Sequence, residues 1–497
     1  MKKQTKQATV DYDIGIIGAG FSGLGLAIRL KQEGKRSFVL LERAEEVGGT
    51  WRDNIYPGCA CDVPSHLYSY SFELNPTWSK VYSAQPEILE YMIACKEKYN
   101  LDQHIHYNTH FSTAVFDEDT LTWLITATNG KTWRVKTVVA ALGPLNVPKI
   151  PNFKGKDLFE GPQFHSSNWQ KEVELEGKKV AVVGTGASAI QIVPEIADQV
   201  EQLTIFQRSA PWIFPRNNHP IRTVRQEEFK QKPFKQRLKR LKAFLFMESQ
   251  GRGLFKDNWI RKLSKKLAED FLKKEIADPA LREKLRPNYT IGCKRRLISD
   301  DYYAALNKSQ VHLETTAIQE ITPKGIVDEQ GQLHEFDVII YATGFQVVDY
   351  SARNLEIKGM NQASLFEQWA DKSSEAYYGT AIAGYPGLFF LLGPNTGLGH
   401  NSVLLMMEGQ VNFILDYWKQ LDRLPKGSLL NVKPKAQQKH NQKIQKELST
   451  MVWSTGSCSS WYLNDEGKNT TLWPGSPVVF RKETKRIRQR DFEKLTL

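Results

Sequence analysis

The chain writes one short plan twice, and this repetition limits the fold more than any other feature. In YDIGIIGAGFSGLGLAIRL a β-branched run, Tyr12 to Ile17, leads into Gly18-Ala19-Gly20-Phe21-Ser22-Gly23. A helical pattern then reaches about Glu33, with Gly34 as its stop, and a second strand pattern, SFVLLE, ends at Glu42. G-x-G-x-x-G between strand and helix is the spacing of a dinucleotide loop. Gly18 allows the tight turn, Gly20 lets a pyrophosphate approach the backbone, and Gly23 lets helix and strand pack closely. The helix N-terminus adds N–H groups and a partial positive charge for the phosphates. KKVAVVGTGASAIQIVPEIADQVEQLTIFQRS repeats the plan. A strand, Lys179 to Val183, leads into Gly184-Thr185-Gly186-Ala187-Ser188-Ala189. A helix follows with a kink expected at Pro194, and then a strand that ends at Arg208.

The two copies differ in one charge. Glu42 stands 24 positions after Gly18, and Arg208 stands 24 positions after Gly184. A carboxylate there accepts from two ribose hydroxyls and repels a 2′-phosphate, whereas a guanidinium binds that phosphate. The first loop is therefore expected to hold an adenosine with a bare ribose and the second to hold NADPH. Two nicotinamide sites would have no evident joint task, so the first cofactor is expected to be FAD.

The expected fold class is α/β, with two Rossmann-like dinucleotide-binding domains, one for FAD and one for NADPH, and a helical insertion. VKTVVAALGPLNVPKIP (135–151) and EFDVIIYATGFQ (335–346) are apolar strands ending in small residues and Gly, and they read as the crossings between domains. FFLLGPNTGLGHNS (389–402) reads as a strand and Gly-rich turn returning to the flavin side. The division is then 1–146 and 346–497 for the FAD domain, 147–212 and 290–345 for the NADPH domain, and 213–289 for the insertion.

Composition excludes several other readings. No apolar run approaches the roughly 18 residues of a membrane span. Asp11 and Asp13 interrupt the basic start, which reads as a short frayed tail and not as a signal peptide. Five scattered cysteines argue against a disulfide framework and for a reducing cytoplasm, and C-x-C at Cys59 and Cys61 is the wrong spacing for a redox pair. The net charge of +12 is concentrated: residues 222–286 hold 20 Lys and Arg against 9 Asp and Glu, a net of +11. The leading reading of this segment is a solvated basic face. Contact with an anionic membrane surface is the alternative, and nucleic acid is not expected, because no aromatic–basic readout pattern accompanies the charge. His104, His106 and His110 lack a second ligand cluster, so no metal is expected.

Two further stretches carry a family resemblance. Phe159-Glu-Gly161-Pro-Gln-Phe-His165-Ser-Ser-Asn-Trp169 matches F-x-G-x-x-x-H-x-x-x-W. Gly48-Gly49-Thr50-Trp51-Arg-Asp-Asn-Ile-Tyr56-Pro-Gly-Cys-Ala-Cys-Asp62 matches [AG]-G-x-W-x(4)-[FY]-P-[GM]-x(3)-D. With both glycine loops, the ATG crossing at 342–344 and Ser460-Trp461-Tyr462, the chain resembles the Baeyer–Villiger monooxygenases over essentially its full length. It departs at Gln170, where the fingerprint usually closes with Pro or Asp. Trp169 separates it from related nitrogen- and sulfur-oxidising flavin monooxygenases, which carry Tyr or Phe there and remain the alternative.

The resemblance implies insertion of one atom of dioxygen beside a carbonyl, ketone to ester or lactone, through a flavin peroxide, with sulfides as further substrates. It implies Arg295 as the active-site cation, Asp62 as the acid that orients it, and His165 as a linker residue coupling domain motion. Lys294 would sit beside Arg208 on the 2′-phosphate. Gly49, Thr50, Trp51 and Asp62 would belong to the FAD site, and Gly184, Gly186, Ser188 and Gln191 to the NADPH site. Trp461 would face the nicotinamide or substrate. A cytoplasmic enzyme with no obligate protein partner is expected.

Overall fold

The computed structural model describes residues 9–255, 258–347, 355–458 and 460–497. The tail read from residues 1–8 lies outside them. β1 (Tyr12–Ile17) is buried on both faces: Ile14 and Ile16 enter one core cluster and Ile17 another. The apolar half, Ile14–Ile17, is what burial on both faces requires, whereas Tyr12 and Asp13 at the strand start are half-buried. α1 (Phe21–Glu33) stops at Gly34, whose φ of 63° is the left-handed conformation a helix end favours. β2 (Phe38–Leu41) lies parallel to β1, with Ile17 opposite Leu41.

After α2 (Thr50–Asp53) and α3 (Gln85–Lys98), β3 (Ile105–His106) adds parallel to β2. β4 (Phe111–Asp117), β5 (Thr122–Ala127) and β6 (Thr132–Ala140) form an antiparallel meander that returns beside β1. The late strand Leu388–Phe390 pairs with the second half of β6, and Glu356–Lys358 pairs with β4. The turn-bearing stretch 389–402 thus rejoins the first sheet, as its sequence implied.

The second unit is a smaller copy. β7 (Gln163–His165), β8 (Lys179–Val183), α4 (Ala189–Ile196) and β9 (Gln202–Phe206) lead to β10 (Ile213–Phe214). Four helices intervene: α5 (Thr223–Gln231), α6 (Pro233–Phe255), α7 (Trp259–Glu275) and α8 (Pro279–Lys284). β11 (Leu297–Ile298) closes the base of this insertion by pairing with β10, and β12 (Val311–Glu314) follows. The second sheet is parallel throughout, in the order β12, β9, β8, Val338–Tyr341, β7. Pro194, where a kink was expected, lies inside α4, which ends two residues later at Ile196.

The two predicted crossings run side by side. Lys149 N–H donates to Gly344 O at 2.9 Å, Gln346 N–H donates to Val147 O at 2.9 Å, and Pro148 pairs antiparallel with Phe345. The chain leaves the first sheet and returns to it through one double-stranded strap.

Candidate active site

The first glycine loop is built as its spacing demands. Gly18 has φ 101°, and a Cβ there would lie 2.7 Å from Ala141 O. A Cβ on Gly23 would lie 1.9 Å from Gly18 O, so α1 sits against the turn only because Gly23 has no side chain. Gly49, the residue before α2 with φ 51°, faces Gly20: a Cβ on it would come within 3.2 Å of the Gly20 Cα. Thr50 and Trp51 follow as the first residues of α2, and the Trp51 ring nitrogen donates to the Tyr68 hydroxyl at 3.0 Å. Two side-chain-free backbones thus oppose each other above the helix N-terminus, a cradle suited to a pyrophosphate. Glu42 is the residue just after β2 and is buried. Its carboxylate accepts from the backbone N–H of Ala19 (2.8 Å) and Ala44 (3.1 Å) and from Arg52 (2.9 Å). Those bonds fix it at the lip of the loop with acceptor capacity left for a ribose hydroxyl.

The second loop repeats these relations. Gly184 has φ 110°, and its Cβ would lie 2.6 Å from Ala342 O, the counterpart of Ala141. A Cβ on Gly186 would meet nothing within 4 Å, which leaves the loop open. Ser188 is the residue before α4. Arg208 emerges two residues beyond β9 and is exposed. Lys294 donates to Ser209 Oγ at 2.8 Å, and burial followed by the charge of Arg208 lowers its affinity for a proton. Two cations held together beside a glycine loop form a donor set for a dianion. A 2′-phosphate fits them; a ribose hydroxyl would leave both charges uncompensated.

Asp62 and Arg295 meet although they are 233 positions apart. Arg295 Nε donates to Asp62 Oδ2 at 2.7 Å and Nη2 stands 2.5 Å from the same oxygen, with both side chains about two-thirds buried. The charge of Asp62 holds the guanidinium above its ordinary proton affinity, against the opposing effect of burial, so Arg295 is cationic at any working pH. Arg296 diverges: it lies over the Phe214 ring at 5.8 Å, and burial followed by the neighbouring Arg295 charge pulls it down to about 10. Of the two neighbouring arginines, Arg295 is the one paired with Asp62.

Gln191 ties the two units together. It accepts from the Tyr56 hydroxyl at 2.9 Å and donates to Ala60 O at 3.0 Å, which fixes the 56–62 loop to α4. His165 ends β7, fully buried, with its ring edge-on to Phe345 of the second crossing. Its Nδ1 accepts from Ser167 N–H at 3.1 Å, and burial lowers its pKa to about 4. It is thus a neutral ring packed against the strap. Trp461 is 43% exposed and packs at 4.4 Å on Tyr462, which is buried close to the charges of Arg295 and Asp62 and pushed up to about 12, chiefly by burial.

The cysteine count argued against a disulfide framework, and one bond is present, Cys293–Cys458, with Cα atoms 6.2 Å apart. Their separation of 165 positions hid the pairing. The bond links the segment carrying Lys294 and Arg295 to the segment carrying Trp461 and Tyr462. Cys59 and Cys61 are free and buried, and desolvation raises both thiols, Cys59 to about 11, so neither is a thiolate nucleophile. Tyr68 and Arg52 were not given a role from sequence, because nothing local distinguishes them from core or surface residues; Tyr462 was named only as part of the resemblance, without a role. Among the described residues Glu314, Asp328 and His334 bring ligand-type atoms within 4.8 Å of one another, but Asp328 is already bonded to Gln330 N–H, Gln332 N–H and the His334 ring.

Two glycine loops, one followed by a buried carboxylate and the other by two cations, together with the Asp62–Arg295 pair, are the frame of a flavoprotein monooxygenase. Residues 11–372 match the family model described as flavin-binding monooxygenase-like. The chain is 44% identical over 475 residues to a Baeyer–Villiger monooxygenase of Pseudomonas aeruginosa, covering 95% of this chain and 90% of that one. Its fold is similar to that of cyclohexanone monooxygenase from Rhodococcus sp. Phi1 bound to NADP+ (TM-score 0.87, 27% identical, 99% of this chain and 100% of that one). It is equally similar to OTEMO in complex with FAD and NADP (TM-score 0.88, 27% identical, 98% and 100%). The chain belongs to the flavin-binding monooxygenase-like family and, within it, to the Baeyer–Villiger monooxygenases.

Proposed function

We propose that this enzyme converts a ketone into an ester or lactone, consuming one dioxygen and one NADPH with a proton and releasing water and NADP+. The observation that carries the reading is the Asp62–Arg295 pair, a permanent cation held by an acid from another loop. When bound, FAD reduced by NADPH supplies the activated oxygen. Gly18, Gly20, Gly23, Gly49, Thr50, Trp51 and Glu42 would hold the flavin cofactor. Gly184, Gly186, Ser188, Arg208 and Lys294 would hold NADPH, with Gln191 at its nicotinamide end. Arg295 would stabilise the negative charge that develops during attack on a carbonyl. Fixed donors in a partly dry site act strongly because they need no reorganisation. Asp62 would orient the guanidinium, Trp461 would cover the reacting face, and His165 would couple the strap to domain motion.

The five-segment division into an FAD domain, an NADPH domain and a helical insertion is part of this proposal, supported by the eight-stranded and five-stranded sheets, whose strands fall in the FAD and NADPH segments respectively. Sulfides are proposed as further substrates. Every residue the scheme needs lies in one chain, so no protein partner is invoked, and the reaction is assigned to the cytoplasm because it consumes NADPH. The test is Arg295→Ala assayed with a cyclic ketone and a thioether side by side. NADPH oxidation should persist while ester formation falls at least a hundredfold, the scale of removing one transition-state donor, roughly 10²–10³. An unchanged ester yield would overturn the role of Arg295.

A further inference from the structure

One helix of the insertion mixes polar side chains into its buried face and leaves apolar ones outside. Helices on a protein surface normally bury an apolar stripe and turn their polar face to water. α6 packs Ala243, Phe244 and Met247 against the main core, but polar side chains share that inward face. Gln236 is buried and donates to Asn75 O at 2.5 Å. One turn on, Arg240 donates to His66 O at 2.8 Å and Leu67 O at 3.0 Å. Glu248 then receives Asn401 at 2.7 Å and Ser476 at 2.6 Å, and lies 2.9 Å from the His400 ring. Gly251 lies so close to His400 that a Cβ would meet its ring at 2.3 Å. These contacts fix the rotation of the helix about its axis.

The opposite face is apolar and exposed. Phe234, Leu238, Leu241 and Leu245 follow one another at helical spacing, with Phe246 beside them, and each is about half exposed or more. α7 also exposes an apolar row, Trp259 (71% exposed), Leu263 and Leu267, each four residues apart, while it buries Ala268 and Leu272. The two helices touch: Arg261 donates to Gly253 O at 2.8 Å. Residues 222–286 contribute nine of the sixteen large apolar side chains exposed among the described residues, although they are only 65 of 497. Single exposed leucines need no explanation, but rows of them on adjoining helices mark an interaction surface. Lys235, Arg237, Lys239 and Lys242 flank the first row, and Lys262, Lys265 and Lys266 flank the second.

We infer that this face docks on an anionic lipid bilayer, α6 and α7 lying in the interface with their leucines and aromatic rings among the acyl chains and their lysines at the headgroups. Charge decides between occupants. A second copy of the chain would bring together two segments each carrying a net +11, whereas an anionic surface neutralises both. No helix among the described residues is long and apolar enough to cross a membrane, so the contact is superficial. The inference goes beyond the catalytic reading and stands independently of it.

The test is co-sedimentation of the full-length, flavin-loaded protein with vesicles of phosphatidylcholine alone or with 30% phosphatidylglycerol added. Partitioning should be at least about tenfold stronger on the anionic vesicles and should weaken with salt. Leu238→Asp/Leu241→Asp/Leu245→Asp should lower it at least about tenfold, with flavin absorbance and far-UV circular dichroism unchanged. Lys262→Glu/Lys266→Glu should lower it by about fivefold per charge removed. Equal binding to both vesicle types, or full retention by the triple variant, would overturn the inference. Sedimentation velocity supplies the remaining outcome: self-association abolished by the same substitutions would assign the face to a second copy and sink the lipid reading.

Discussion

Replacing Arg208 with Ala isolates the charge swap between the two cradles. In the structure Arg208 reaches past β9 beside Lys294, which is itself anchored on Ser209 at 2.8 Å. A charge-assisted hydrogen bond contributes about 1.5–3 kcal/mol, or about 10- to 150-fold in affinity. Arg208 is exposed, so solvent screening puts the expected loss at the low end, about tenfold to thirtyfold in the Kd for NADPH. NADH has no phosphate at this position, and its Kd should change less than twofold. Lys294 should compensate in part, since removing Arg208 also removes a repulsion, so the double variant with Lys294→Ala should lose more than either single change. The assay is anaerobic reduction of the bound flavin followed by its absorbance, with Kd taken from the dependence of rate on NADPH and NADH concentration. A single variant that weakens both nucleotides equally, or leaves their ratio at the wild-type value, would refute the assignment of the second cradle to a 2′-phosphate.

Three other outcomes follow from the same geometry. Gly23→Ala should yield protein without flavin, since its Cβ would lie 1.9 Å from Gly18 O, while Gly186→Ala should keep the flavin and lose NADPH affinity; visible spectra and NADPH titration distinguish them. Thiol titration of the unfolded, unreduced chain should count three free cysteines out of five, and reduction of Cys293–Cys458 should lower stability by about 5 kcal/mol on a chain-entropy estimate for a loop of 165 residues, read as a lower Tm. His165 and His66 are both buried neutral, each lowered to about 4 by desolvation; below the unfolded value near 6.5 only the unfolded chain takes up these protons, so stability should fall as pH drops from about 6.5 to 4, with a slope approaching 2.7 kcal/mol per pH unit from the pair. Denaturant unfolding across that range checks the slope, and His165→Gln should flatten it.

How much of this was legible in the sequence depended on how local each feature is. α1 ends at Glu33 with Gly34 as its cap, as the pattern implied, because the hydrophobic period, the glycine and the strand that follows are neighbours in the chain. The opposition of Gly20 to Gly49 was less legible, because it arises when a later loop folds back over the first. The register between Arg295 and Arg296 could not come from residue type, since the two are chemically identical; Asp62 decides it from 233 positions away. The cysteine pair failed for a related reason, since a count of five says nothing about which two segments the fold brings within 6.2 Å. The segment 222–286 was legible as charge and helix. Its orientation was not, because the polar residues facing inward on α6 are chosen by carbonyls of residues 66–75 and by the 400–402 loop.

The use proposed for Arg295 rests on contacts between segments far apart in the chain. A guanidinium has five N–H donors on three nitrogens, and Asp62 engages two of those nitrogens through one oxygen. Nη1 and the remaining hydrogens are then available for the contact with a reacting oxygen proposed above, while the cation keeps a partner that offsets the cost of its burial. Such a pair works only if both backbones hold still. Asp62 is steadied by the 56–62 loop, clasped through Tyr56 and Ala60 to Gln191. Arg295 is steadied two residues upstream by the bond from Cys293 to Cys458, which also anchors the segment bearing Trp461 and Tyr462. Loosening either anchor should cost ester formation before it costs cofactor binding, because the glycine cradles are local structures and the cation is held only by contacts between distant segments.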